Sequence, residues 1–322
     1  MEYELIEQIL AVLGGDARVF PPLGDDVGGL LLPENRVLLL KTDFVAEATD
    51  RPRGMTLWEL GWKAVSITVS DFAAKGVQPQ VLVASIGGPR RAMRRHVLDI
   101  VRGIQEACEY YDVVYVGGDL GGCREIFIAT AAAALTEQNR IVLRSGARPG
   151  DVVLTTGSFG LNGIALALLE RGVEIGDDNR LVFRNLLRPE ARLKAGVALA
   201  EQGIPTAAID SSDGLAWSLY EIARASHTAI LVEELPTNDE VRELASQYNV
   251  DLEQACLYGG EELELVFTTP QDKVQEAVRL LEDLKLQPYV IGRVLSEEPK
   301  IYLQTETGPT IIQPYGYQHF LL

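Results

Sequence analysis

Ala207-Ala208-Ile209-Asp210-Ser211-Ser212-Asp213-Gly214-Leu215 is a short apolar strand that runs into an acidic Ser/Gly turn and out into a helix. Upstream lie a strand at 151–156, a glycine-rich turn, a helix to residue 170 and a second helix over 189–202. Downstream, helix, strand and helix follow to residue 255. Gly259-Gly260-Glu261-Glu262 then precedes a strand at 263–268, a helix over 273–284 and two late strands. The first half mixes elements in the same way. A helix covers 4–13, a Gly/Pro-rich loop covers 14–29, and a strand at 37–40 delivers Thr42-Asp43 at its end. Thr56 and Glu59 form a capping box, so a helix starts there and runs to about Lys75, where Gly76 and Pro79 stop it. Strands at 81–86, 113–116 and 126–135 and a helix over 96–110 complete that half. Interleaved strands and helices predict an α/β (α+β) fold in two domains. The turn Arg148-Pro149-Gly150-Asp151 puts the boundary between residues 1–147 and 148–322.

The 322 residues match about two domains at ~150 residues each. Hydrophobic residues are 47% and charged residues 23%, enough apolar material for two cores. A formal charge of −17 repels duplex nucleic acid and anionic membranes, so neither is an expected partner. Three widely spaced cysteines, Cys108, Cys123 and Cys256, indicate neither a disulfide framework nor a zinc knuckle. With an acidic N-terminus unlike a leader peptide, they point to the reducing cytoplasm. The longest apolar run, 126–135, is about half of the ~20 residues a membrane helix needs.

No Walker loop, H-E-x-x-H or G-x-S-x-G occurs, and His96, His227 and His319 are each isolated. What stands out is aspartate beside apolar sequence: Asp25-Asp26, Asp43, Asp71, Asp119, Asp210 and Asp213. Singly, each has a bland reading as an Asx turn, a helix cap or a turn residue. Together they suggest one pocket. Two carboxylates ~4 Å apart repel by about 4 kcal/mol at an effective dielectric of 20, so a converged set needs protons or hard cations. Oxygen-only ligands select Mg²⁺, Mn²⁺ or Ca²⁺, and Mg²⁺ is commonly shared with substrate phosphates. The pairs Gly87-Gly88, Gly117-Gly118 and Gly259-Gly260 let backbone N–H groups approach an anion, and Arg144 offers a phosphate partner.

Gly24-Asp25-Asp26, Thr42-Asp43, Val69-Ser70-Asp71-Phe72-Ala73-Ala74-Lys75-Gly76, Gly117-Gly118-Asp119, Arg144-Ser145-Gly146-Ala147, Ile209-Asp210-Ser211-Ser212-Asp213-Gly214-Leu215 and Gly259-Gly260-Glu261-Glu262 occur in that order. In this the chain resembles the thiamine-monophosphate kinase family, of the aminoimidazole-ribonucleotide synthetase and selenophosphate synthetase superfamily. The likeness runs from about residue 20 to the tail Gly316-Tyr317-Gln318-His319-Phe320. It implies phosphorylation of thiamine monophosphate by ATP, an N-terminal domain that dimerises through its sheet, and a homodimer. It also implies several Mg²⁺ ions held by Asp26, Thr42, Asp43, Asp71, Asp119, Asp210 and Asp213. ATP would meet Tyr111, Gly118, Asp119, Arg144 and Ser212; the thiamine substrate would meet Asp50, Glu261 and Tyr317. No residue is implied as a strong general base. Lys41 stands where the family often has Ser or Thr, Asp50 where many members have His, and Glu262-Leu263 where Asp-Tyr is usual. Ser158-Phe159-Gly160 also differs from the usual turn. A relative acting in aminoimidazole-ribonucleotide synthesis, and a non-catalytic nucleotide- or divalent-ion-binding protein, stay open as alternatives. Selenophosphate synthetase is disfavoured because no Cys precedes Cys108, and the hydrogenase-maturation relative because the chain ends in Leu322 rather than Cys.

Overall fold

A computed structural model of the chain describes residues 2–90 and 94–317. The N-terminal half holds α1 (Glu2–Leu13), β1 (Gly28–Leu32), β2 (Arg36–Ala46), α2 (Glu47–Asp50), α3 (Leu57–Ala74), β3 (Val81–Gly88), α4 (Arg94–Tyr111), β4 (Val114–Gly122) and β5 (Phe127–Glu137). The strands form one sheet in the order β1-β2-β5-β3-β4, antiparallel except for β3 beside β4. Burial alternates along β2, β3 and β5, the period-two pattern of a sheet with a single covered face. Helices α3 and α4 cover it.

The C-terminal half continues with β6 (Val152–Thr155), α5 (Leu161–Glu170), α6 (Arg184–Leu187), α7 (Leu193–Glu201), β7 (Ala207–Asp210), α8 (Leu215–Ser226), β8 (Ala229–Val232), α9 (Asp239–Tyr248), α10 (Leu252–Tyr258), β9 (Leu265–Thr269), α11 (Val274–Asp283), β10 (Tyr289–Leu295), β11 (Ile301–Thr305) and β12 (Gly308–Ile312). Seven strands pair in the order β12-β11-β8-β10-β6-β9-β7. Here β6, β7, β8 and β9 are buried throughout, because helices lie on both faces. Leu215, Leu219 and Ile222 of α8 pack on one face; Leu199 of α7 and Leu281 of α11 pack on the other. The two-domain α/β expectation therefore holds, with a mixed sheet in each half.

The capping box forms as read: Thr56 Oγ1 accepts from the Glu59 amide at 3.1 Å, and Glu59 Oε2 accepts from the Thr56 amide at 2.7 Å. It starts α3, the helix that joins the two halves. Trp62 Nε1 and Ser66 Oγ both donate to the Pro189 carbonyl, at 2.8 and 2.9 Å. On its other side α3 meets α4, where Gly103 leaves no room for a side chain: a Cβ there would lie 2.0 Å from the Trp58 carbonyl oxygen.

Four readings need correction. β2 runs on to Ala46, so Thr42-Asp43 lies inside a strand; the ladder to β5 continues through Asp43 opposite Thr130 to Ala46 opposite Phe127. β4 likewise extends to Gly122 and contains Asp119. The helix expected over 189–202 starts at Leu193, with the Pro189 carbonyl committed to α3. Three late strands form, since β11 returns on itself as a hairpin with β12. Of the tail motif, residues 318–320 lie outside the described residues.

Candidate active site

Helix α3 carries Asp71 under the first sheet and touches β7, whose last residue is Asp210. The loop between α1 and β1 brings Asp26 to the same point. Carboxylate oxygens of Asp26, Asp71 and Asp210 lie within 4.8 Å of one another, and all three residues are buried. Ser70 Oγ donates to Asp210 Oδ2 at 2.7 Å. Asp43, on the buried side of β2, connects to this group through Lys41, whose Nζ is 2.9 Å from Asp71 Oδ1 and 3.5 Å from Asp43 Oδ1.

Three cations lie inside the cluster. Lys75, the fully buried C-cap of α3, places Nζ 2.5 Å from Asp25 Oδ1 and 2.7 Å from Asp26 Oδ2. The Asp26 contact is an ion pair without hydrogen-bond geometry. Lys75 also donates to the Ala208 carbonyl at 3.2 Å. Arg144 Nε donates to Asp26 Oδ1 at 2.6 Å, and its Nη1 donates to Gly24 O at 2.9 Å and Glu221 at 3.1 Å. Lys41 is the third.

The electrostatics divide the carboxylates. Burial would raise the pKa of Asp26, but Arg144 and Lys75 hold it below the usual carboxylate range. Asp71 is pushed well above that range by burial, with Asp210, Asp43 and Asp26 adding to the rise and Lys41 opposing it. Asp210 is raised to about 6 by burial and by Asp26. Burial would lower Lys41, yet Asp71 and Asp43 raise it above its ordinary value. So Asp71 and Asp210 lack sufficient counter-charge. Asp43 Oδ2 is buried with no hydrogen-bond partner. An orphaned carboxylate oxygen beside an all-oxygen donor set fits a hard divalent cation such as Mg²⁺.

A second group adjoins the 210–214 turn. The Glu261 amide donates to Ser212 O at 2.6 Å, and the Leu263 amide to Ser211 O at 3.0 Å. The Tyr317 amide donates to Asp213 O at 3.1 Å. Both Glu261 carboxylate oxygens accept from Lys63 Nζ at 2.7 Å; that lysine, on α3, also reaches the Asp50 carbonyl at 3.4 Å. The Asp50 carboxylate itself accepts from the Ala46 amide and the Thr49 hydroxyl. Tyr317, Tyr315, Tyr258 and Gly260 line a groove of about 560 Å³. Glu262 is turned inward: Oε1 accepts from the Gly160 and Asn162 amides at the start of α5, at 2.8 and 3.1 Å. Burial pushes its carboxyl up to about 8 against those two amides.

Several residues singled out from sequence lie apart from the cluster. A bulge sets Val116 and Gly117 of β4 against Val83 alone, between the pairs Leu82–Tyr115 and Ala84–Gly118. Beyond it Asp119 pairs with Ser85, on the exposed face of the sheet. Thr42 lies on that face too, in line with Ala131 and Val83. Tyr111 is in the core, its hydroxyl 3.0 Å from Ser66 Oγ and accepting from the Ala191 amide at 2.8 Å. The sequence reading assigned no role to Lys63, Ser70, Lys75 or Glu221. Their signal was present for three of them: α3 is mostly apolar, and a polar side chain buried there must have a partner.

The model for the N-terminal domain of AIR synthase related proteins matches residues 24–136, and that for the C-terminal domain matches 148–304. Thiamine-monophosphate kinase of Pyrococcus horikoshii is 35% identical over 299 residues, 92% of this chain and 90% of that protein. The chain belongs to the thiamine-monophosphate kinase family. The thiamine-monophosphate kinase of Methanospirillum hungatei is 34% identical over 320 residues, 98% of each chain. The solved structure of AaThiL complexed with AMPPCP and TMP superposes with a TM-score of 0.85 at 29% identity, covering 99% of this chain and 97% of that one. Hydrogenase maturation protein HypE, 23% identical with a TM-score of 0.71, shares the fold.

Proposed function

We propose that this chain transfers the γ-phosphoryl group of ATP to thiamine monophosphate, giving thiamine diphosphate and ADP. The convergence of Asp26, Asp71 and Asp210 carries the reading. Membership of the kinase family supports it. Mg²⁺ held there would neutralise charge on the triphosphate. Asp26, Asp71 and Asp210 would hold it, with Asp43 joined to Asp71 through Lys41 and Asp213 further along the turn that follows Asp210. A phosphate oxygen of thiamine monophosphate bonds to the γ-phosphorus while the bond from that phosphorus to the β,γ-bridging oxygen breaks, and the charge leaves on ADP. The attacking oxygen is already ionised near neutral pH, so no strong base is required. The chain's work is to position and to balance charge. Arg144 and the Ser212 turn lie beside the cluster and would meet the nucleotide. Asp50 would supply negative charge for the thiazolium, Glu261 would meet it from its ion pair with Lys63, and Tyr317 would supply a ring beside the groove.

We assign residues 1–147 to the nucleotide and dimerisation domain and 148–322 to the C-terminal domain, and the chain to the cytoplasm, where its three free cysteines stay reduced. Among the described residues no helix is long and apolar enough to cross a membrane. The exposed sheet face would pair two copies. Asp119, Gly118 and Thr42 lie along that part of the sheet, so their share in binding depends on the dimer.

Incubation with ATP, Mg²⁺ and thiamine monophosphate, resolved by chromatography, is expected to give thiamine diphosphate and ADP in equal amounts. Nucleotide binding without product would support a binding module instead. Asp43→Asn is expected to abolish turnover while the Tm holds or rises, because it neutralises a buried oxygen that lacks a partner. Near-normal turnover in that variant would refute a part for Asp43 in the site.

A further inference from the structure

Lys41 divides the acidic cluster in two. Its Nζ spans carboxylates from different elements, Asp43 of β2 and Asp71 of α3, at 3.5 and 2.9 Å. Its side chain is only 23% exposed, so solvent screens these ion pairs weakly. On the far side, Lys75 and Arg144 hold Asp26. Between them lies Asp210. Among the described residues no cation comes within ion-pair distance of it; Ser70 alone donates to its carboxylate. Counter-charge is thus built in between Asp43 and Asp71 and at Asp26, and is lacking at Asp210.

We propose that Lys41 is a resident counter-ion. Its ammonium fills the position between Asp43 and Asp71 that a divalent cation would otherwise take, and it confines divalent ions to the Asp26–Asp71–Asp210 side. This rests on the reading of the cluster as a Mg²⁺ site. An ammonium and a magnesium ion cannot share the Asp43–Asp71 gap. Mg²⁺ requires oxygens at about 2.0–2.1 Å in an octahedral shell, whereas the amine lies at hydrogen-bond distance from Asp71 Oδ1. A divalent ion brought in beside the ammonium would also be repelled. Unlike a metal ion, the lysine cannot be chelated, so Asp43 and Asp71 stay joined in the metal-free protein. Lys41 is in this sense a positioning residue that sets how many ions the site takes.

The test counts ions rather than turnover. Mn²⁺ is titrated into the full-length chain and into Lys41→Ser with AMPPCP present, and free Mn²⁺ is read by electron paramagnetic resonance. The variant is expected to bind one ion more per chain than the parent. Equal, non-zero counts overturn the counter-ion and leave the metal site standing; no bound Mn²⁺ in either protein overturns both. Should Lys41→Ser fail to fold, crystals of the parent grown with Mn²⁺ and AMPPCP give the answer alone. Anomalous peaks confined to the Asp26–Asp71–Asp210 side, with Nζ still on Asp71, support the proposal. A peak bridging Asp43 and Asp71, with Lys41 displaced, overturns it.

Discussion

Glu262 shows how one buried carboxyl ties stability to pH. It accepts from two amides at the start of α5, and burial raises it from 4.5 to about 8. A carboxyl raised on folding stabilises fully below its unfolded pKa and loses that contribution as pH rises towards the folded value. Stability from Glu262 therefore falls between pH 4.5 and about 8 and is level above that. Gln at this position keeps the accepting oxygen and removes the titration. Glu262→Gln is expected to flatten the decline in urea midpoint across neutral pH and to exceed the parent in stability at alkaline pH. An unchanged slope would place the titration elsewhere. Glu261, the preceding residue, pairs with Lys63 instead.

Helix α3 does most to assemble the site. It carries Lys63, Ser70 and Asp71, with Lys75 as its C-cap, each paired with a residue distant in sequence, on a mostly apolar cylinder buried almost all round. Close approach to α7 fixes its height. A Cβ on Gly196 would lie 1.9 Å from the Ala73 carbonyl oxygen, a backbone atom that cannot swing aside. Gly196→Ala must therefore move α3 relative to α7, at a cost of about 1–3 kcal/mol typical of overpacking. A denaturation midpoint lowered to that extent, together with weaker nucleotide binding, is the expected result. Loss of stability with binding untouched would show that the site tolerates the shift.

Across the molecule the two sheets differ in what covers them. The C-terminal sheet has helices on both faces, whereas the N-terminal sheet leaves Leu40, Phe44, Val83 and Val116 between 41% and 56% exposed. An apolar face of this kind marks an interface. In the proposed homodimer, Val83→Glu would bury a charge without a partner, and sedimentation should report the mass of one chain where the parent gives two. A parent that sediments as a single chain at micromolar concentration would count against the dimer. The variant should keep its fold, since Val83 points away from α3 and α4.

The elements of this chain follow from short-range physics, and so they were legible. Thr56 and Glu59 are three residues apart, and the box they form needs only a helical turn. Apolar runs at 81–86 and 207–209 close on Gly, Pro or Asp wherever they occur. The acidic residue types pointed to hard cations by their chemistry alone. Tertiary structure decided the rest. β2 continues through Asp43 because β5 offers it a ladder, which local composition does not contain. Asp119 faces outward because a bulge at Val116 and Gly117 reverses the alternation of β4. Which carboxylates Lys41, Lys63 and Lys75 meet is decided only when packing brings those of other elements within reach. A buried charge selects its partner by proximity in space, and proximity is set by how α3 lies between the two sheets.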